Sequence, residues 1–266
     1  MILRRFMQHV KEQNWFAVGL DVIVVIVGIF LGMQVQQWYE VRKENELETE
    51  YLTLLTRDFI AINKSLDQQL DYEQFVIEAS KKALTYINNQ EQKINPVELG
   101  QLLTQMDGTR TLSLQSPVFT ELQSTGRISI IRDIELRNSI MEYFDSLVRT
   151  ERIVDHINKS LVESYTVFLR DSGIGFVPFS ESQCSDLEGN VPCLLSESLL
   201  KAVDGERTHS AELILGTSLS ETFKVKLRAQ VTYRAIAADS IKFSVTGRLD
   251  DTKSIIDKID DYSIND

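Results

Sequence analysis

A single apolar stretch near the amino end constrains this chain more than any motif does. Phe16 to Val35 is twenty residues long and carries one charge, Asp21. At 1.5 Å per residue a helix of that length reaches about 30 Å, the thickness of a hydrocarbon core. Trp15 precedes the stretch, and Trp38 with Tyr39 follows it, where amphipathic rings favour the membrane interface. A buried core helix is the competing reading. A helix apolar on every face lacks the polar side that water demands of a soluble surface helix. The sequence therefore predicts a transmembrane helix over residues 16–36.

The basic start (Arg4, Arg5, Lys11) also suits a cleaved signal peptide. No small-x-small cleavage site follows, because the chain after Phe30 reads Leu-Gly-Met-Gln-Val-Gln-Gln-Trp. An uncleaved signal-anchor is the reading. Residues 1–15 carry three basic groups and one acid, whereas Glu40 to Glu50 sets Arg42 and Lys43 against five glutamates. Basic flanks stay cytoplasmic. The expected topology is a cytoplasmic tail over 1–15, a signal-anchor over 16–36 and an exported domain over 37–266. In a bacterium that places the anchor in the inner membrane and the domain in the periplasm.

Composition narrows the function further. The chain has 266 residues, with 28 Lys+Arg against 39 Asp+Glu and a formal net charge of -11. Nucleic-acid binding demands a basic surface, so no nucleic-acid partner is expected. Three separated histidines and two cysteines leave little for a zinc site. Cys184 and Cys193 bracket a hydrophilic, turn-rich loop in a compartment expected to be oxidising, where a structural disulfide is the natural reading and two free thiols the alternative.

Within the span, Asp21, Val25, Gly28 and Gly32 fall on one side of a helix. Gly28 and Gly32 have the small-xxx-small spacing that lets two spans approach closely, and a carboxylate facing lipid is costly. This stripe is a candidate contact face for a second copy or a multi-pass partner. Asp21 reaching the headgroups, with the glycines incidental, is the plainer alternative.

Beyond the span the pattern is helical throughout. Leu52, Leu55, Phe59, Ile62 and Leu66, then Leu70 and Phe75 to Ile77, recur at helical steps in a helix expected to continue the membrane segment, with a bend near 40–48 and a stop at Asn88-Asn89. Asn95-Pro96 and Ser116-Pro117 each join a cap to a first-turn proline, and Glu98 adds the third-position glutamate of a capping box to the first. Asp133 opens a long helix with the row Leu136, Ile140, Phe144, Leu147, Val154, Ile157, Leu161, Tyr165 and Phe168, ending at Gly173. Residues 174–210 read as an irregular loop. Ser218-x-x-Glu221 reads as a capping box for a last helix through Phe223, Leu227, Val231, Ala235, Ala238, Ile241 and Val245, with Gly247 as a break. The expected fold class is all-α: an N-terminal transmembrane helix continuing into an antiparallel helical bundle.

Motifs that carry chemistry are missing. There is no phosphate-binding glycine loop, no H-E-x-x-H and no nucleophile elbow, and the one Glu-x-x-His, Glu206 to His209, lacks the second such motif that the di-metal bundles need. His156 reads as a solvated helix residue and His209 as a loop residue. The carboxylates at 250, 251, 257, 260 and 261 lack the spacing of a calcium loop. No catalytic, cofactor or metal residues are expected.

Gly28-Ile29, Gly32, Gln34 and Trp38-x-Glu40 resemble the opening of an uncharacterised bacterial family of short single-span membrane proteins. Ser124-Thr125-Gly126-Arg127, Ile131-Arg132-Asp133, Leu136-Arg137 and Glu142-Tyr143 are similar to a second block of that family, with Phe144 where a second tyrosine often stands. The resemblance implies an envelope membrane protein with an exported helical domain and carries over no catalytic residue. The expected function is a non-enzymatic anchored scaffold or interaction protein, with a ligand-sensing module acting through a membrane partner as the alternative. Peptide mapping without reduction should recover the Cys184 and Cys193 peptides linked; two separately alkylated thiols would count against an oxidising compartment.

Overall fold

The computed structural model of the chain describes residues 15–88, 95–174, 214–215 and 219–265. Every regular element among these residues is helical. Helix α1 runs from Trp15 to Asn88, followed by α2 (Pro96–Gln105) and α3 (Pro117–Ser124). A 3-10 turn (Arg127–Ile130) leads to α4 (Ile134–Ile157), a π-helical turn (Asn158–Val162) and α5 (Glu163–Asp171). The last helix, α6, spans Glu221–Asn265. The chain divides into two compact units, Met1–Thr53 and Leu54–Asp266.

In the first unit the described side chains of α1 from Leu20 to Glu44 are all exposed. An eighteen-residue window of this helix has a mean hydropathy of 1.6, and none of it is buried. The helix is thus long and apolar enough to cross a membrane. Helical bonding is unbroken through residues 40–48, where the sequence suggests a bend. No glycine or proline interrupts that stretch, and pairs one turn apart support it: Gln36 donates to Glu40 and Arg42 to Glu46, both at 3.0 Å.

The second unit holds the core. From Leu55 onward α1 buries one row, Leu55, Phe59, Ile62, Leu66, Val76, Ala83 and Ile87. Val76, Ala83 and Ile87 of that row share one buried cluster with Leu99, Leu103 and Met106 from α2 and its exit, Tyr165 and Leu169 from α5, and Leu227, Val231 and Ala238 from α6. Each such aliphatic or aromatic burial contributes about 1.5–3 kcal/mol before the entropy of ordering is subtracted. Nearer residue 59, Phe144 stacks on Phe119 with centroids 4.0 Å apart and lies 5.4 Å from Phe59.

The short helices start where their caps dictate. Asn95 Oδ1 accepts the Val97 amide at 3.1 Å, and Ser116 Oγ accepts the Phe119 amide at 2.9 Å. Ser116 also donates to Asp58 of α1 at 2.7 Å, so a carboxylate from another helix sits at the positive end of α3. Asp133 Oδ1 caps α4 through the Leu136 amide at 2.6 Å. Glu98 does not close a capping box on α2; it accepts the Tyr86 hydroxyl at 2.6 Å instead.

Three local expectations are corrected. The cap of α6 is Ser220, whose Oγ accepts the Phe223 amide at 3.2 Å; Ser218 lies outside the described residues. Gly247 does not break α6, because the hydrophobic row continues through Leu249, Ile255 and Ile259 and holds the helix together. The row Leu136 to Phe168 is not one regular α-helix. The π turn at Asn158–Val162 widens a turn and moves burial from Leu161 to Val162.

Two glycines make opposite predictions for stability. A Cβ at Gly247 would meet nothing within 4 Å, so Gly247→Ala should stabilise by about 0.5–1 kcal/mol by relieving helix-interior glycine entropy. Gly126 has φ 69°, so Gly126→Ala should cost about 1–2 kcal/mol. Thermal melts followed by circular dichroism should move up for the first and down for the second.

Candidate functional site

The most unusual chemistry in the second unit is a set of charges inside the core. Gln69 and Glu73 occupy the buried row of α1 between Leu66 and Val76, and Arg234 occupies the buried row of α6 between Val231 and Ala238. Arg234 is 1% exposed and Glu73 also 1%. A buried ion needs donors or acceptors from every side.

Those acceptors come from the end of α2. The last carbonyls of a helix have no partner within it and carry the negative end of its dipole. Arg234 Nε donates to Met106 O at 2.8 Å and Nη2 donates to Gly108 O at 3.2 Å. Tyr165 donates its hydroxyl to Leu103 O at 2.7 Å, and Tyr72 donates to Gly108 O at 2.5 Å. Three side chains from three other helices thus cap one short helix and the turn after it. Gly108 is required there, since a Cβ would stand 2.7 Å from the Tyr72 oxygen.

The charge of Arg234 is answered by two carboxylates. Arg234 Nη1 lies 3.8 Å from Glu73 Oε2, an ion pair without a direct hydrogen bond. Gln69 Nε2 donates to Glu73 Oε1 at 2.6 Å. Burial pushes Glu73 up to about 7, with Arg234 and then Gln69 pulling it back. Asp107, in the turn after α2, is raised by burial and lowered again by Thr166 and by the charge of Arg234. Burial also lifts Tyr72 to about 12 and Tyr165 well above its ordinary value.

Asp107 also faces outward, into a cleft of about 480 Å³ lined by Thr109, Thr111 and Leu112 on one side and by Glu151, Asp155, Asn158, Lys159, Glu163 and Thr166 on the other. The π turn supplies Asn158 and Lys159 to this wall. Glu151 accepts the Leu114 amide at 2.5 Å, and Lys159 pairs with Asp155 at 2.7 Å. The hydrogen bond to Asp155 holds Lys159 protonated, above its ordinary value, so it is poorly suited to act as a base. Among the described residues no group of three or more His, Cys, Asp or Glu is placed to hold a metal.

The residues singled out from sequence are dispersed. Val25, Gly28 and Gly32 are exposed on α1, and a Cβ on either glycine would meet nothing within 4 Å. The helix puts residues 21, 25, 28 and 32 on one side, while the Asp21 side chain is not among those described. Cys184, Cys193 and His209 lie outside the described residues, and His156 is exposed on α4. In the second block of the family resemblance, Gly126 takes a left-handed turn and Leu136 is buried. Tyr143 shares a 2.6 Å hydrogen bond with Thr252 of α6. A polar groove of about 300 Å³ between α4 and α6 runs past Tyr143, Arg149, Arg248 and Lys258.

Sequence reading missed Gln69, Glu73 and Arg234. The signal was present: each stands where the three-and-four spacing of its helix calls for an apolar residue. Compared with known proteins, the chain matches no family model, no curated protein and no solved structure.

Removing the cation of this pair alone should be worse than deleting both partners. Arg234→Met alone should destabilise the protein by about 3–5 kcal/mol, leaving buried carboxyls without their cation and two carbonyls without a donor, while Glu73→Leu should cost less because Asp107 still answers Arg234. The double variant should recover part of the Arg234→Met loss, short of full recovery because the carbonyls of Met106 and Gly108 lose their donor. Denaturant titrations of all four proteins read the coupling directly.

Proposed function

We propose that the chain is a single-pass protein of a bacterial inner membrane whose exported helical domain works as a scaffold or interaction module without catalysis. One observation carries this reading. Leu20, Val22 to Val27, Ile29 to Leu31, Met33 and Val35 are all exposed on one continuous helix. Soluble proteins do not leave so long an apolar cylinder against water, and lipid is the solvent that suits it. The basic residues at 4, 5 and 11 favour a cytoplasmic amino end, with the acidic domain across the membrane in the periplasm. A Cys184–Cys193 disulfide would fit that compartment. The family resemblance points the same way.

An antiparallel bundle is the arrangement we infer for the exported domain. Rising positions on α4 and α5 (139, 143, 168) meet falling positions on α6 (258, 252, 223), as antiparallel neighbours must. The stripe Asp21, Val25, Gly28, Gly32 is the proposed contact face toward a second copy or a multi-pass partner. The most strongly perturbed carboxyl, Glu73, belongs to a packed network rather than an open site, which favours interaction over catalysis. The cleft beside Asp107 is what favours the alternative, a ligand-sensing module acting through a membrane partner.

Membrane fractions should retain the intact protein after carbonate washing, and protease added to spheroplasts should digest the domain while sparing the amino tail. Intact protein in the soluble cytosol would overturn the whole assignment. In native membranes, Gly28→Ile should weaken the crosslinked species formed by the wild type, with unchanged partners and unchanged oligomer size removing the basis for the contact face.

A further inference from the structure

The buried network has two competitors for one cation. Arg234 is held toward the turn after α2 by Met106 O at 2.8 Å and Gly108 O at 3.2 Å, yet its third nitrogen stands 3.8 Å from Glu73 Oε2, too far to bond. Arg234 Nη1, Glu73 Oε2, Gln69 Oε1 and Asp107 Oδ1 are all buried without a hydrogen-bond partner among the protein groups. Four unsatisfied atoms around one guanidinium mark an arrangement that a small change can redistribute.

A proton is the change that fits. One carboxyl oxygen of Glu73 takes the Gln69 amide at 2.6 Å and the other, buried as well, takes no hydrogen bond. Turning the Gln69 amide over would put its orphan Oε1 opposite a protonated Glu73 and give it a partner. Ionised Glu73 has no such use for that oxygen, and its unpaired Oε2 instead draws Arg234 Nη1.

We propose that Glu73 is a proton-operated clasp on the turn Met106–Leu112: ionised, it competes with the turn for the Arg234 guanidinium, and protonated, it releases that guanidinium to Met106 O, Gly108 O and Asp107. The turn is then held tighter in the protonated state. Because Asp107, Thr109, Thr111 and Leu112 form one wall of the cleft, the clasp sets how firmly that wall is fixed.

The other groups around Glu73 leave it as the one that switches. On α1 its neighbours are Gln69, which is uncharged, and Tyr72, pushed up to about 12 by burial. Tyr165 of α5, which feels Asp107 and Arg234, is also raised well above its ordinary value by burial. Arg234 of α6 stays cationic. Asp107 in the turn is the remaining acid. Glu73 itself is raised to about 7, so its extra stability is present at acid pH and is lost as pH rises through that value.

The test is hydrogen exchange on the full-length protein in nanodiscs between pH 5.5 and 8.5, corrected for intrinsic exchange, following the 106–112 segment against α4. Protection of that segment should fall at least about fivefold from the acid to the alkaline end, with α4 as the unchanged reference. Glu73→Gln should keep the high protection and abolish the pH step. Asp107→Asn should move the midpoint to lower pH, since Arg234 then has only Glu73 to answer it. A flat wild-type profile would overturn the clasp, and so would a Glu73→Gln profile that keeps the wild-type step. Should Glu73→Gln not fold, the wild-type profile and the direction of the Asp107→Asn shift still decide the matter.

Discussion

The guanidinium of Arg234 at the end of α2 is the contact on which the rest of the second unit leans. Helix α2 has ten residues, too few to persist alone, and it ends inside the core rather than in water. Its carbonyls therefore need donors that water cannot bring. Arg234 supplies two and Tyr165 a third, while Tyr72 joins Arg234 on the turn that follows. A buried cation then requires a buried anion, which explains Glu73, and that anion requires a donor of its own, which explains Gln69. Arg234, Glu73 and Gln69 in the apolar rows, with the hydroxyls of Tyr72 and Tyr165, follow from one short helix with a dry end.

Helix α1 meets two different demands along its length. From Leu20 to Val35 its described side chains are exposed and, Gln34 apart, apolar, and this part of the helix is long and apolar enough to cross a membrane. From Leu52 onward the same helix is one-sided, with an apolar row at three-and-four spacing and charges opposite. The change is marked by Trp38, with the Arg42 guanidinium 5.8 Å from its ring centre, and by the Arg42–Glu46 pair. An aromatic and an arginine together suit the boundary between an apolar and a wet environment.

Much of this was legible in the residue order. Asn95-Pro96, Ser116-Pro117 and Asp133 each open a helix because a short polar side chain satisfies the first amides locally, and local hydrogen bonds are written in adjacent residues. The left-handed Gly126 was visible for the same reason. What escaped is long-range or marginal. The π turn at Asn158 to Val162 inserts no diagnostic residue. Gly247 is tolerated within α6 only because the apolar row on both sides of it is packed. Arg234 and Glu73 are far apart in sequence, so each reads alone as a charge in the wrong register; only folding brings them to 3.8 Å. The cysteine loop and the stripe through Gly28 and Gly32 rest on the residue order alone.

Perturbed carboxyls are often the signature of catalysis, but the same perturbation arises wherever charge is buried to hold a fold together. Glu73, Tyr72 and Tyr165 lie in packed positions along the helix rows, and none of them lines the cleft. Asp107 is the member common to both: it shares the field of Arg234 inside and forms part of the cleft wall outside. Coupling through a shared residue is reciprocal. A cation brought to the cleft would hold Asp107 ionised and leave less of the Arg234 charge for Glu73, favouring the Glu73 proton; a proton on Glu73 frees Arg234 toward Asp107 in turn. The interior network and the surface cleft are therefore two ends of one electrostatic balance, with a single aspartate as the fulcrum.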